Sequence, residues 1–296
     1  MMTPDTAFIL CRFVFDGAAL FLWGSAVYLW LLVPRGLSSH IAAKLRRAHA
    51  VAVVLAVIAT AALLPVRSAM LGNGWADGLD AETTIAVLTG TSIGTAWAWQ
   101  AALSAVLLAV TWMPVRRKMA ATAIISGLLL CGLALTGHAA MNDGGLGLLH
   151  RANDMVHVLA GGAWIGALAP VALVLSRLGD RTEGAEALMA LIRFSRAGHV
   201  AVALVILSGL TNSLLITGGL PLDWSVPYQR LLSLKICLVA IMVLMAIFNR
   251  YELVPRIGRS PTADRALAAG TVAEMIVATG IIALVAWLGT LEPFPG

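Results

Sequence analysis

The sequence predicts an all-α fold: a polytopic membrane bundle of eight transmembrane helices with both termini periplasmic. Three observations predict it. Hydrophobic residues fill 60% of the 296 positions and charged residues only 12%, against about 25% charged in an average soluble domain. So much apolar surface cannot be hidden in one water-soluble core, and it suits a chain whose solvent is lipid. The apolar residues fall into eight runs near the roughly 20-residue length a span needs. The basic residues alternate between one set of connections and the other.

The first run, about 7–33, follows MMTPDTAF, which has no basic leader and carries Asp5. It reads as a retained first helix rather than a cleavable signal. Arg35, Lys44, Arg46 and Arg47 follow it, then a second run at 49–66. His40 and His49 fall in this first connection, where no special role is expected of them. The connection 67–94 carries Asp77, Asp80 and Glu82, and its AETTIAVLTG segment is expected to form a short helix on the membrane surface. Runs three and four, 95–113 and 119–138, are joined across Arg116, Arg117 and Lys118. MNDGG is the turn into run five at 151–175. Arg177, Arg181, Arg193 and Arg196 precede or open run six at 196–217. The turn-rich GGLPLDWSVPYQ leads to run seven at 230–249. Arg250, Arg256, Arg259 and Arg265 separate it from run eight at 267–290. Residues 1–296 thus read as one integral membrane domain.

Fifteen of the twenty Lys and Arg residues lie in the odd-numbered connections. By the positive-inside rule these connections are cytoplasmic, and an even number of spans then leaves both termini outside. The net charge of +5 is therefore an orientation signal, and nucleic-acid binding is excluded on that ground. The partner is the lipid bilayer. The three cysteines, Cys11, Cys131 and Cys237, are scattered through apolar runs and suggest neither a disulfide nor a zinc site. No G-x-x-x-x-G-K-[ST] phosphate loop occurs. A binding or transport role is expected rather than an enzyme.

Ionisable groups within spans are costly, so each is a functional candidate. The stretch TGHAAMNDGGLGLLHRANDMVHVL holds three of the six histidines. His150, Asp154 and His157 are spaced i, i+4, i+7, on one helix face. At 1.5 Å rise per residue His157 lies about 10 Å deeper than His150. His138 ends run four across a short turn, and Met141 lies in the same outer region. Imidazole with carboxylate suits borderline metals, and thioether with imidazole suits Cu(I). Asp154 is alternatively a partner that fixes a histidine tautomer. The residues alone leave three readings: a metal site at His138, His150, Asp154 and His157; a hydrogen-bond cluster tying two spans together; or haem ligation by the same histidines in a membrane redox protein.

Further polar groups are accessory candidates. Arg12 and Asp16 in span one form an i, i+4 pair, and Asp16 can also face an outer polar cavity. Asn212, at the outer end of span six, can reach the histidines or cap a helix. Glu274 in span eight is a stepping stone for a proton or cation, or the partner of Lys235 or Asn249 in span seven. His199 lies about 10 Å too far from the outer face to share a site with His157. Cys11 is the one cysteine at the depth of the histidines. Gly162 and Gly166 form a G-x-x-x-G that favours close helix packing.

The run TGHAAMNDGGLGLLHRANDMVHVLAGGAWIGAL, with its GH, LH, D-x-x-H-x-L and W-x-G-x-L elements, resembles the CopD/PcoD family of bacterial copper-resistance inner-membrane proteins. FSRAGHVAVALVILSGLTNSLL, YQRLLSLKICLVAIMVLMAIFNRYELVPR and AEMIVATGIIALVAWLGTLEP resemble it too. The resemblance covers about 119–292 well and the first three spans more loosely. It implies an eight-helix protein of the bacterial inner membrane that takes copper ion from periplasm to cytoplasm, for acquisition or resistance. It implies His138, His150, Asp154 and His157 as copper ligands. It also implies a periplasmic CopC-like copper-binding partner, here expected as a separate chain.

Overall fold

The computed structural model describes residues 2–113, 117–256 and 261–294. Arg116 and Arg259, two of the basic residues in the connections, lie outside the described residues. Among those described there is no strand. Eight helical segments are long and apolar enough to cross a membrane, as the composition predicts.

Helix α1 (Pro4–Val27) runs into a π turn, Tyr28–Leu32. The Thr3 side chain caps its N-terminus by accepting from the Thr6 backbone N–H at 3.3 Å. Helix α2 (Arg35–Leu71) has 37 residues where the apolar run spans only 49–66. The extension is amphipathic: Leu37, Ile41 and Leu45, four apart, are buried in one core cluster. His40 and His49 therefore sit on this helix and not in a loop. His49 is buried, with Nε2 2.8 Å from Ser25 Oγ. Two short helices, α3 (Trp75–Gly78) and α4 (Ala81–Gly90), occupy the long connection, the second where a short helix is expected.

Helix α5 (Ser92–Trp112) is the third span. Helix α6 (Lys118–Cys131) ends earlier than the apolar run suggests and gives way to two 3₁₀ turns, Gly132–Leu135 and Gly137–Ala140. His138 thus lies in a tight turn beyond the span. Gly137, with φ +73, makes that turn possible.

Span five is two helices, α7 (Gly144–Ile165) and α8 (Leu168–Leu175). The break falls at Gly166–Ala167 because Pro170 has no N–H for the Gly166 carbonyl and its ring crowds that carbonyl. Helix α9 (Gly184–Thr217) again outruns its apolar window, burying Ala187, Ala190 and Leu191. Helix α10 (Pro227–Phe248) ends in a π turn at Asn249–Leu253, and α11 (Pro261–Leu288) is the last span.

Helix α1 is the centre of the bundle, touching α2, α6, α7 and α11. Its contact with α7 is glycine on glycine. A Cβ placed on Gly24 would stand 2.7 Å from the Cα of Gly166, and the Gly162 carbonyl is closer still. The G-x-x-x-G of span five thus seats α1.

Candidate metal centre

A cavity of about 250 Å³ opens among α1, α7, α9, α10 and α11. Asp16, His138, Asp154, His157, Asn212 and Lys235 all line it. They come from five separate elements, so only the tertiary fold brings them together.

His157 projects from α7 and its Nδ1 lies 2.9 Å from Ser208 Oγ on α9. Asp154, one turn earlier, accepts from Asn212 Nδ2 at 2.9 Å. Asn212 Oδ1 accepts in turn from Asn153 Nδ2 at 2.7 Å. Ser208 and Asn212 are i, i+4 on α9, so one helix face supplies both partners. His138 Nε2 donates to the Leu291 carbonyl at 2.9 Å, and its ring packs on Tyr228 with centroids 4.8 Å apart. The donated proton fixes the tautomer, leaving the lone pair on Nδ1. Burial pushes this imidazole below its ordinary value, against the pull of the Leu291 carbonyl and the Asp154 carboxylate.

The other candidates divide. Asp16 lines the cavity in an ion pair with Arg12 at 3.3 Å, as the i, i+4 spacing predicts. Met141 is exposed and is not part of the lining. Cys11 packs instead among Ala7, Phe8, Leu63 and Val66. His150 is fully buried but also stands outside the lining. Seven residues of helix carry it about 10 Å from His157 along the axis, so a shared face does not give a shared site. Its Nδ1 lies 2.9 Å from Asn142 Nδ2, and its Nε2 is buried with no hydrogen-bond partner. Among the described residues no three His, Cys, Asp or Glu side chains converge as a ready-made metal cage.

Glu274 belongs to a second cavity of about 480 Å³, with His199, Asn249, Arg250 and Tyr251. Its Oε1 accepts from Asn249 Nδ2 at 2.7 Å, one of the two partners the sequence offers it. The other, Lys235, lies in the first cavity. Trp164 lines both cavities and is buried with Met242 and Ala278.

Sequence reasoning overlooked Asn153, Ser208 and Tyr228 as partners, and Lys235 as a lining cation. The one local signal was the Ser208–Asn212 pair, two polar residues a turn apart in an apolar run.

Residues 2–148 match the family described as copper resistance protein D-like, N-terminal domain, and residues 188–288 match copper resistance protein D. The two matches flank the stretch with His150, Asp154 and His157. The chain is 34% identical over 289 residues to the inner membrane protein YebZ of Escherichia coli K12, covering 97% of this chain and 98% of that protein. It is 34% identical over 223 residues to copper resistance protein D of Pseudomonas syringae pv. tomato, covering 70% and 71%. It is 29% identical over 238 residues to copper transport protein CutJ of Bacillus subtilis 168, covering 77% of this chain and 43% of that protein. No solved structure matches the chain. These names give the haem reading no support. With eight apolar helices and these relatives, the chain belongs to the copper resistance protein D family of multi-pass inner-membrane proteins.

Proposed function

We propose that this chain moves copper ion from the periplasm to the cytoplasm, with His138, Asp154 and His157 as its ligands in the donor cavity. The observation that carries the reading is their meeting in one cavity from a turn and a helix, each held by a partner that leaves a lone pair available. Both imidazoles are neutral donors, and Asp154 adds a carboxylate oxygen, a set suited to copper. The Bacillus subtilis relative's name, copper transport protein, supports transport.

The donors line a common space without converging, which suits cargo rather than a permanent cofactor. A transported ion has to be held weakly enough to leave. His150 stands further out and passes the ion inward; turning the Asn142 amide end for end frees its buried Nε2 lone pair. Glu274 receives the ion, or a coupled proton, in the second cavity. By the positive-inside rule, the basic connections support a cytoplasmic side for that cavity's mouth and for the α2 and α9 extensions. All eight spans act as one membrane domain built around α1. A separate CopC-like protein delivers copper at the periplasmic face, and the chain works as a carrier rather than an enzyme.

The test is copper uptake into liposomes enclosing a copper-sensitive dye, with the purified chain reconstituted. Uptake that falls to the protein-free rate in Asp154→Asn and His157→Ala supports the reading. Copper binding without uptake in the wild type would make the chain a docking platform or sensor instead.

A further inference from the structure

Away from the donor cavity, a cavity of about 1210 Å³ lies between the N-terminal extension of α2, the end of α5 and the start of α6. It exceeds the roughly 300–1,000 Å³ usual for small-molecule pockets. Five basic residues line it: Arg35, Arg46 and Arg47 from α2, Arg117 and Lys118 from α6 and its cap. No Asp or Glu among the described residues lines it.

Two acids meet the α2 extension, both outside the lining of this cavity. His40 Nδ1 lies 2.6 Å from Glu183, and the Leu37 N–H in the first turn of α2 donates to Glu186 at 2.9 Å. Within the lining, none of Arg35, Arg46, Arg47 or Arg117 has an ion pair among the described residues. Lys118 reaches only the Thr111 carbonyl, at 2.7 Å.

The helix termini repeat the contrast. Helix α2 has Glu186 at its start. Helix α6 starts at Lys118 with Arg117 as its cap, and among the described residues no side-chain hydrogen bond caps it. Such a helix start attracts an anion through its exposed N–H groups and dipole. The floor of the cavity is apolar, formed by Leu22, Leu29, Val33 and Val53. Trp30 and Trp112 stand at its rim, 46% and 72% exposed, as interfacial tryptophans do.

We propose that this cavity binds one anionic phospholipid, its phosphate held by the Arg46, Arg47 and Lys118 side chains at the start of α6 and its acyl chains against the apolar floor. Basic pockets between spans take acidic headgroups in this way. A headgroup there cross-links α2 to α6 where, among the described residues, neither has an acidic partner. The charge that orients the chain would then also fix the packing of these two spans. The site is independent of copper.

The test is native mass spectrometry of the full chain in mild detergent, supplied with equal amounts of phosphatidylglycerol and phosphatidylcholine. The wild type is expected to keep one phosphatidylglycerol in preference to phosphatidylcholine. With each interfacial arginine adding about fivefold, Arg46→Gln with Arg47→Gln should lower that preference at least tenfold. Arg256→Gln, which removes an exposed arginine already paired with Glu252 at 3.0 Å, should leave it unchanged. Equal retention of the two lipids by the wild type overturns the proposal, and so does an equal loss in the Arg256→Gln control. Displacement of the lipid by millimolar inorganic phosphate also overturns it, in favour of a soluble phosphate. The wild-type preference needs no variant, so a variant that fails to insert leaves the decision standing.

Discussion

Ser208 Oγ lies 2.9 Å from Nδ1 of His157 while giving its own proton to the Leu204 carbonyl at 2.5 Å. A hydroxyl has one proton to donate. His157 must therefore be the donor in this contact, with its proton on Nδ1 and its Nε2 lone pair free.

His157→Ala is expected to weaken copper binding at least tenfold, and Ser208→Ala by about tenfold, since partners that orient a ligand are worth about 10–100-fold. Competition against a chromogenic copper chelator measures both. An unchanged affinity in His157→Ala removes that residue from the ligand set.

Acid should weaken the site only below the ordinary histidine range. Burial lowers His138 from 6.5, so the folded chain binds its proton less readily than the unfolded chain. Between those two values the unfolded state holds more protons, and stability falls as pH drops through about 6.5. Copper affinity should be level from about pH 8 to 6.5 and decline at lower pH as His138 protonates. His138→Asn should remove part of that decline. A tenfold loss of affinity between about pH 8 and 7 would contradict this.

The eight spans were legible because lipid imposes a length and a polarity that a single sequence displays. Leu37, Ile41 and Leu45 show why the ends were not. A hydropathy window sees the lipid-facing part of α2, and the rest is held by a narrow apolar stripe. Pro170 announced the break at Gly166 through its i−4 carbonyl, yet a hydropathy run passes straight over it. At the site, i, i+7 spacing put His150 and His157 on one face, but the axial rise separated them. Ser208 and Lys235 come from helices whose neighbours no spacing rule supplies. Glu274 and Asn249 were readable because each is an isolated polar group in consecutive spans.

Gly24 meets the backbone of Gly162 and Gly166 with no room for a methyl group. Gly24→Ala should destabilise the folded chain by about 1–3 kcal/mol, the usual range for overpacking. Gly280→Ala, where the nearest atom is 4.0 Å away, should stay within about 0.5 kcal/mol of the wild type. Unfolding titrations in mixed detergent compare them. Equal stability of Gly24→Ala and the wild type would mean that α1 is not seated on these glycines.

Glu274→Gln keeps the shape of the side chain and its contact with Asn249. Because Glu274 lies outside the donor cavity, copper affinity should change less than threefold, about 0.7 kcal/mol. Uptake into liposomes should fall well beyond that. A variant that loses binding while moving each bound ion as fast as the wild type refutes the assignment of Glu274 to transport.

Trp164 divides the proposed path. Its indole is buried and lines both the chamber of Asp154 and that of Glu274, so an ion on that route would have to pass the ring. Throughput would then be set by the frequency of a side-chain and helix movement, on the microsecond-to-millisecond scale of gating motions. Transport should saturate with rising copper as a catalyst saturates with substrate, and the membrane should stay sealed to protons and sodium between turnovers.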